Sequence, residues 1–195
     1  MSVESAVRMN VVTSVNQTCG KLQEIRADEV GWDLMEIDAH SGARPEHAKW
    51  QGKIVSRSGQ KGYLSLRDIG YGEVTGFKGI NCSHDWKPYF KNSTRTYNNK
   101  ELQKIANEKI KYNGQEMSKY EAQQLQRKME RQIRQDKKDI IGLNAILTSS
   151  TDETLIKEAR AKLTDIKVKQ QMHNTAFNNF LDQTGFRKDY SRLKI

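Results

Sequence analysis

Cysteines and long apolar runs are scarce in this sequence. Only two cysteines, Cys19 and Cys82, occur among its 195 residues, and they stand far apart in different contexts. A disulfide framework is therefore not expected, and a reducing cytoplasm suits the synthesis of such a chain. No run approaches the roughly 20 apolar residues that a membrane-spanning helix needs, so we expect no membrane partner.

Apolar content is modest, and the excess of basic charge is concentrated in one half. Hydrophobic residues make up 35% of the chain and charged residues 29%, which indicates that part of the chain lacks a thick core. Residues 1–99 carry 13 basic against 11 acidic residues, whereas residues 100–195 carry 20 against 13. Such an excess suits a polyanion such as nucleic acid, but interleaved charges are equally typical of a solvated helix surface.

A helical apolar stripe runs through the N-terminal segment from Ser2 to Val30. Its members are Val3, Ala6, Val7, Val11, Val15, Cys19, Leu22 and Ile25. Because these residues recur at helical spacing, we predict one helix that buries this stripe. Cys19 is then interpreted as a structural thiol at a helix interface.

A segment rich in glycine and aromatic residues follows, to about residue 97. Trp32–Ala39 alternates as a short strand does, and a short helix is predicted over Glu46–Gln51 after Pro45. Turns and close backbone approaches are expected at the glycines Gly59, Gly62, Gly70, Gly72, Gly76 and Gly79. The segment is therefore predicted to form a small, irregular α+β domain.

Helical patterns dominate the remainder of the chain. A short helix is predicted over Lys100–Tyr112, ending at the Asn113–Gly114 turn signal. Ser118 and Glu121 have the spacing of a capping box at the start of a long helix. Apolar residues along that helix fall mostly three, four or seven positions apart, which is typical of one buried face.

A final helix is predicted after the polar break at 148–153, with Ser150 or Thr151 as its cap and Gly185 just past its end. Its coiled-coil-like seam includes His173, which is interpreted as a core or interface histidine. A short polar loop joins it to the preceding helix, so the two should form an antiparallel hairpin. The predicted fold is α+β: an N-terminal helix and a motif-bearing domain over 1–97, then a basic helical hairpin with a C-terminal tail over 98–195.

One group of residues is a candidate metal site. His40 and His47 are separated by six residues, and Cys82 and His84 by one. Neither spacing matches a zinc-finger pair, so we expect no cofactor, although zinc held by these four side chains stays a possibility beside that of packed core residues. We assign no catalytic residue, because no third group orients a Cys82–His84 pair and the glycines form no phosphate-binding loop.

Three motifs resemble the phage minor capsid protein 2 family, which is akin to the minor head proteins typified by the F protein of phage Mu. They are "AHSGARPEHAKWQGKIVS" at 39–56, "IGYGEVTGFKGINCSHDWKPYF" at 69–90 and "GFRKDYSRL" at 185–193. The motif positions are His40, Arg44, Pro45, His47, Trp50, Gln51, Gly52, Gly70, Gly72, Gly79, Asn81, Cys82 and His84. Members commonly have arginine where this chain has Ser83.

The resemblance implies a structural virion component, made in the host cytoplasm and built into the head near the portal. Portal or other capsid proteins are the implied partners, together with double-stranded DNA and a second copy through the hairpin. Contacts to DNA or a partner are expected at Lys128, Arg131, Arg134 and Lys138. Two alternatives stay open: a nuclease- or toxin-like enzyme related to domains fused to head proteins, and a zinc-stabilised nucleic-acid-binding module.

Overall fold

The computed structural model describes residues 3–195, and the chain divides into two compact units between Glu108 and Lys109. The first unit contains, in chain order, α1 (Val3–Glu29), β1 (Leu34–Ile37), α2 (Pro45–Ala48), β2 (Ile54–Ser56), β3 (Leu64–Ser65), β4 (Trp86–Pro88) and α3 (Asn99–Ala106). The second contains β5 (Lys109–Tyr112), β6 (Gln115–Ser118), α4 (Lys119–Ser149), α5 (Glu153–Thr184) and a short 3-10 helix, Tyr190–Arg192. The α+β prediction is confirmed. A boundary at 97/98, as the sequence suggested, would assign α3 to the second unit.

Helix α1 presents a different face to its unit from the one predicted. Its buried residues are Thr13, Gly20, Glu24 and Ala27. The predicted stripe is largely exposed: the exposed fractions are 77% for Val3, 55% for Val7, 56% for Val11, 58% for Val15, 56% for Leu22 and 45% for Ile25. Cys19 is exposed as well, so its interpretation as an interface thiol is wrong. The predicted start at Ser2 lies outside the described residues.

Hydrogen bonds join the buried side of α1 to the loop before β4. Asn16 Nδ2 donates to the Cys82 carbonyl at 2.7 Å, and Gln17 Nε2 donates to the Lys78 carbonyl at 3.1 Å. The buried Lys78 ammonium donates in return to Asn16 Oδ1 at 2.8 Å. Gly20 gives the lysine stem room, since a Cβ there would lie 3.0 Å from Lys78 Cε. The buried side of α1 therefore carries hydrogen-bonded polar groups, whereas helical periodicity predicted that the valines would be buried.

A four-stranded sheet in the order β3-β2-β1-β4 supports the first unit. Strand β1 pairs antiparallel with β2 and β4, and β2 pairs parallel with β3. All four residues of β1 are buried, because both of its faces are covered. Glu36 is buried there and accepts hydrogen bonds from the backbone and hydroxyl of Thr96. The helix predicted over Glu46–Gln51 is shorter in the structure and ends at Ala48.

Aromatic rings fill the core beside this sheet. Phe77 is fully buried, and its ring centroid lies 4.9 Å from that of Trp86, 5.7 Å from that of Trp50 and 6.0 Å from that of Tyr71. The aliphatic members of the cluster include Met35, Ile37, Val55 and Ile69. Rings of this size bury a large apolar area in a unit whose strands have only two to four residues.

The loop between β3 and β4 packs backbone against backbone. A Cβ on Gly76 would lie 1.9 Å from the Gly70 carbonyl oxygen, and a Cβ on Gly79 would lie 2.5 Å from the Glu73 carbonyl oxygen. No larger residue fits at either position without moving the chain. Gly70 also has a φ of 61°, which favours glycine.

The second unit is a β-hairpin followed by the predicted helical hairpin. Ser118 and Glu121 form the predicted capping box at the start of α4. The cap of α5 is Asp152, not Ser150 or Thr151, because its carboxylate accepts from the backbone of Thr154 and Leu155. The expected left-handed glycine, Gly185, ends α5. Ile133 of α4 packs with Phe177 of α5 and with Leu193 of the tail.

The helix predicted over Lys100–Tyr112 is wrong in its second half. Helix α3 ends at Ala106, and β5 and β6 then pair antiparallel around Asn113 and Gly114, which both have positive φ. These are the residues that a tight hairpin turn requires. None of the helices described between residues 3 and 195 is both long and apolar enough to cross a membrane.

Candidate functional site

The candidate site lies where α2 meets the loop that leads into β4. Pro45 starts α2 at its first turn, and His47 is buried in that helix. The Arg44 guanidinium donates to the Ile80 carbonyl and so ties the start of α2 to the loop. Asn81 adopts a φ of 54°, in the left-handed region that asparagine tolerates better than most residues. Together these contacts set the position of His47 against the segment that carries Cys82 and His84.

Three ring and thiol atoms converge at this point. His47 Nδ1 lies 3.4 Å from His84 Nδ1, and Cys82 Sγ lies 3.8 Å from His84 Nδ1 and 4.0 Å from His47 Nδ1. The exposed fractions are 2% for His47, 4% for Cys82 and 1% for His84. Within residues 3–195 this is the one group of at least three histidine, cysteine and acidic side chains placed to share a metal ion. The three residues are hereafter called the His–Cys–His cluster.

The outer nitrogen of each imidazole is held by a carbonyl oxygen. His47 Nε2 lies 2.7 Å from the Thr75 carbonyl, and His84 Nε2 lies 3.3 Å from Gln51 Oε1. The same Gln51 oxygen accepts from the His40 backbone N–H at 3.2 Å, which fixes the orientation of the amide. Both carbonyl oxygens can only accept, so each Nε2 carries the proton and each Nδ1 presents a lone pair.

Burial governs the protonation of the cluster. It lowers the pKa of His47, and together with the neighbouring His40, His47 and Lys78 it lowers the pKa of His84 to about 3. Burial also raises the pKa of the Cys82 thiol, against the hydrogen bonds that lower it. The two imidazoles are therefore neutral near pH 7, which is the form in which histidine binds metal.

His40 lies beside the cluster without joining it. Its ring centroid is 4.2 Å from that of His84, so the two imidazoles stack at a tilt. Its own nitrogens contact other groups: Nε2 lies 2.9 Å from Ser83 Oγ, and Nδ1 lies 3.3 Å from the Ser41 carbonyl. The structure thus brings three of the four candidate ligands together and leaves the fourth at their edge.

Other motif residues form the walls around the cluster. The Trp50 ring lies 4.5 Å from His47 and 4.8 Å from His84, centroid to centroid. Gly52 faces α3, since a Cβ there would lie 2.4 Å from Leu102 Cδ2. Gly72, with a φ of 88°, belongs with Gly70 and Gly79 to the close-packed loop described above. Trp50 therefore packs directly against the two imidazoles, whereas these glycines shape the surrounding backbone.

Sequence reasoning missed two groups that hold the cluster in place. The Thr75 carbonyl fixes His47 from 28 residues away, and Asn16 holds the Cys82 carbonyl from 66 residues away. A backbone carbonyl has no signature in the sequence. Asn16 follows Val15 in the sequence but lies on the other side of α1 from the apolar stripe, so helical spacing gives no sign of its role.

The expected basic residues lie along α4, in the second unit. Lys128 and Arg131 are exposed, whereas Arg134 and Lys138 are half-buried. Successive spacings of three, three and four residues place them on one side of the helix. They are hereafter called the basic face of α4. Ile133 and Asp136 are buried on the side that packs against α5.

Comparison with known proteins identifies the family. Residues 1–175 match the profile described as phage minor capsid protein 2. The chain belongs to the phage minor capsid protein 2 family. The C-terminal motif at 185–193 lies beyond the matched residues.

A curated relative, a structural protein of Lactococcus phage LL-H, is 32% identical over 143 residues. This alignment covers 70% of the present chain and 36% of the relative, so the chain spans about a third of the length of that relative. No solved structure matches the chain at a significant level.

Proposed function

We propose that this chain is a structural component of the phage head, located near the portal, and that the basic face of α4 binds packaged double-stranded DNA. Membership of a minor capsid family supports a place in the virion, assembled in the host cytoplasm with other capsid components. The similarity to a phage structural protein supports the same role. The DNA contact rests on the arrangement of charge in the second unit.

The basic face of α4 is the observation that carries the DNA proposal. Residues 100–195 hold 20 basic and 13 acidic residues, and the two of each sign at 100–108 cancel, so the net excess belongs to the second unit. The cations at Lys128, Arg131, Arg134 and Lys138 succeed one another at rises of about 4.5–6 Å along the helix axis. A DNA duplex presents one phosphate charge per about 1.7 Å of its axis, so a rigid row of cations finds phosphates in any sequence.

Contacts of this kind do not read bases. They neutralise phosphates and release counterions, which gives an affinity that depends on salt and not on DNA sequence. This is the behaviour required of a head protein that meets whatever genome segment is packed beside it.

The test is the salt dependence of DNA binding. Lys128→Gln, Arg131→Gln, Arg134→Gln and Lys138→Gln are combined, and affinity for a random-sequence duplex is measured by fluorescence anisotropy over a range of salt. The slope of log affinity against log salt should become less steep by roughly 0.9 for each phosphate that the variant no longer neutralises. A matched control changes Lys157, Lys162, Lys167 and Lys169 to glutamine, since these are exposed lysines of α5 and give the same charge change.

Equal slopes in the two quadruple variants would assign DNA attraction to net charge alone and would reject the basic face of α4 as the contact.

The location near the portal is tested separately. Mass spectrometry of purified particles should detect the chain, and cross-linking should join it to the portal. Its absence from particles would reject the head assignment.

Exposed apolar side chains on the helical hairpin favour a second contact, self-association. Ile141 is 59% exposed, Val168 55% and Met172 65%. Changing these three residues to serine should lower the dimer fraction measured by analytical ultracentrifugation. A chain that is monomeric at all concentrations before substitution would exclude this contact.

A further inference from the structure

The His–Cys–His cluster has the geometry of a metal site, and this conclusion does not depend on the proposed function. We infer that the cluster binds one structural zinc ion through Cys82 Sγ, His47 Nδ1 and His84 Nδ1. The ion joins α2 to the loop before β4. The inference rests on donor spacing, on converging lone pairs and on burial.

Donor spacing matches a tetrahedral zinc centre. Zinc–nitrogen distances of about 2.0–2.1 Å and a zinc–sulfur distance of about 2.3 Å set tetrahedral edges near 3.3–3.4 Å between nitrogens and near 3.6 Å between nitrogen and sulfur. The observed separations are 3.4 Å between the two Nδ1 atoms and 3.8 and 4.0 Å from them to Cys82 Sγ. Small side-chain adjustments close the remaining difference.

The lone pairs at the centre lack donors of their own. Thr75 and Gln51 hold the protons of both imidazoles on Nε2, so the two Nδ1 atoms face each other as acceptors at 3.4 Å. The Cys82 thiol has a single proton and can satisfy only one of them. A cation at the centre satisfies both nitrogens and the sulfur, and the thiol proton leaves to solvent when the ion binds.

Ligand chemistry and burial point to structural zinc. One thiolate and two imidazoles are ligands that zinc prefers, whereas calcium and magnesium take oxygen ligands. The three side chains are at most 4% exposed, so a substrate does not reach the ion. No carboxylate joins the group among residues 3–195, so the site lacks the acid–base partner of a hydrolytic zinc centre. These side chains supply three of the four ligands of a tetrahedral zinc ion and leave the fourth position to a small ligand such as water.

Zinc would stabilise a unit that has little regular structure to rely on. The ligands lie 35 and 37 residues apart along the chain, and the strands that hold this region have four residues or fewer. An ion bound only by the folded state contributes its binding free energy to folding.

The first experiment is metal analysis of the full, untagged chain. Protein purified without metal-affinity steps, stripped and reloaded with zinc, should hold about one zinc ion per chain by inductively coupled plasma mass spectrometry. Cys82→Ser should lose the ion, and Cys19→Ser is the matched control because its thiol is exposed on α1. No zinc retained, equal retention by Cys82→Ser, or preferential retention of another metal would overturn the inference.

Cobalt substitution keeps the test decisive if Cys82→Ser does not fold. The wild-type chain loaded with cobalt(II) should show a thiolate-to-cobalt charge-transfer band and the visible bands of a tetrahedral ion. A cobalt complex without the thiolate band would also overturn the inference.

Gln51 serves as a positioning residue for His84. Gln51→Leu should weaken zinc binding roughly 10–100-fold, and Gln51→Glu should restore it because it retains an acceptor for His84 Nε2.

Discussion

The two units of this chain reach stability by different routes. The first has short strands and packed loops, and its interior combines aromatic rings with satisfied polar groups such as Lys78 and Glu36. The second consists mainly of helices of 31 and 32 residues with few fully buried side chains between them. Contacts between residues far apart in sequence therefore determine the fold of the first unit, and local helical periodicity determines that of the second.

The two units also have separate spectroscopic signals. All three tryptophans, Trp32, Trp50 and Trp86, lie in the first unit, so tryptophan fluorescence follows its unfolding alone. Hydrogen exchange measured by mass spectrometry on peptides of α4 and α5 follows the second unit. These two measurements make the comparison between the units testable.

The largest effect is expected from truncating a buried ring in each unit. Phe77→Ala should destabilise the first unit by about 3–5 kcal/mol, because it removes a fully buried ring and leaves a cavity among aromatic side chains. Tryptophan fluorescence during urea unfolding measures this loss. Phe177→Ala, at an equally buried position of α5, should leave that transition in place and increase exchange in α4 and α5. Identical changes in both signals for both variants would contradict the division into two units.

A smaller effect, of opposite sign in the two units, is expected from the same substitution at two glycines. Gly76→Ala should destabilise the first unit by about 1–3 kcal/mol, since its Cβ would overlap the Gly70 backbone. Gly142→Ala should stabilise the second unit by about 0.5–1 kcal/mol, because this glycine lies inside α4 and an added Cβ would meet nothing within 4 Å beyond the adjacent backbone of its own helix. If Gly142→Ala is destabilising as Gly76→Ala is, α4 needs a glycine at position 142 for a reason other than space.

The smallest effect concerns the pH dependence of the second unit. Burial raises the pKa of Glu130, and the nearby Arg192 only partly offsets this. The folded state therefore binds this proton more tightly than the unfolded state. The resulting stability is complete below about pH 4.3 and is lost as pH rises through the raised pKa. Exchange in α4 peptides, with the intrinsic pH dependence of exchange corrected, should reveal this loss.

Glu130→Gln should remove this part of the pH dependence, because the amide does not ionise. Glu158→Gln, at an exposed position of α5, is the matched control. The Glu130 assignment fails if both variants keep the wild-type pH profile.

Sequence patterns predicted the second unit better than the first. The capping box at Ser118 and the spacing of apolar residues are local signals, and they identified α4 and α5. The β-hairpin over 109–118 was missed although Ile110 and Tyr112 alternate with lysines, because a short helix was extended through them to the Asn113–Gly114 turn. A strand of four residues contains too few repeats to distinguish the strand period of about 2 residues from the helix period of about 3.6.

The candidate site was only partly predictable for a related reason. His47 meets Cys82 and His84 because two distant segments of the chain come together. Spacing in the sequence gives no reason to separate His40 from these three as a candidate metal ligand. The valine periodicity of α1 predicts the wrong buried side, since the side that is buried carries Asn16 and Gln17, which donate hydrogen bonds to distant carbonyls. Such contacts leave no repeating pattern in the sequence.

The exposed valines of α1 have a consequence for mutational tolerance. Because the fold of this chain does not bury Val7, Val11 or Val15, polar substitutions there should leave folding nearly unchanged. A library scored for soluble folded protein would accept many residues at these positions and few at Gly20 or Ala27. The same library scored for infectious particles applies a different constraint. A requirement for valine in that second screen would identify positions that particle formation needs and folding does not.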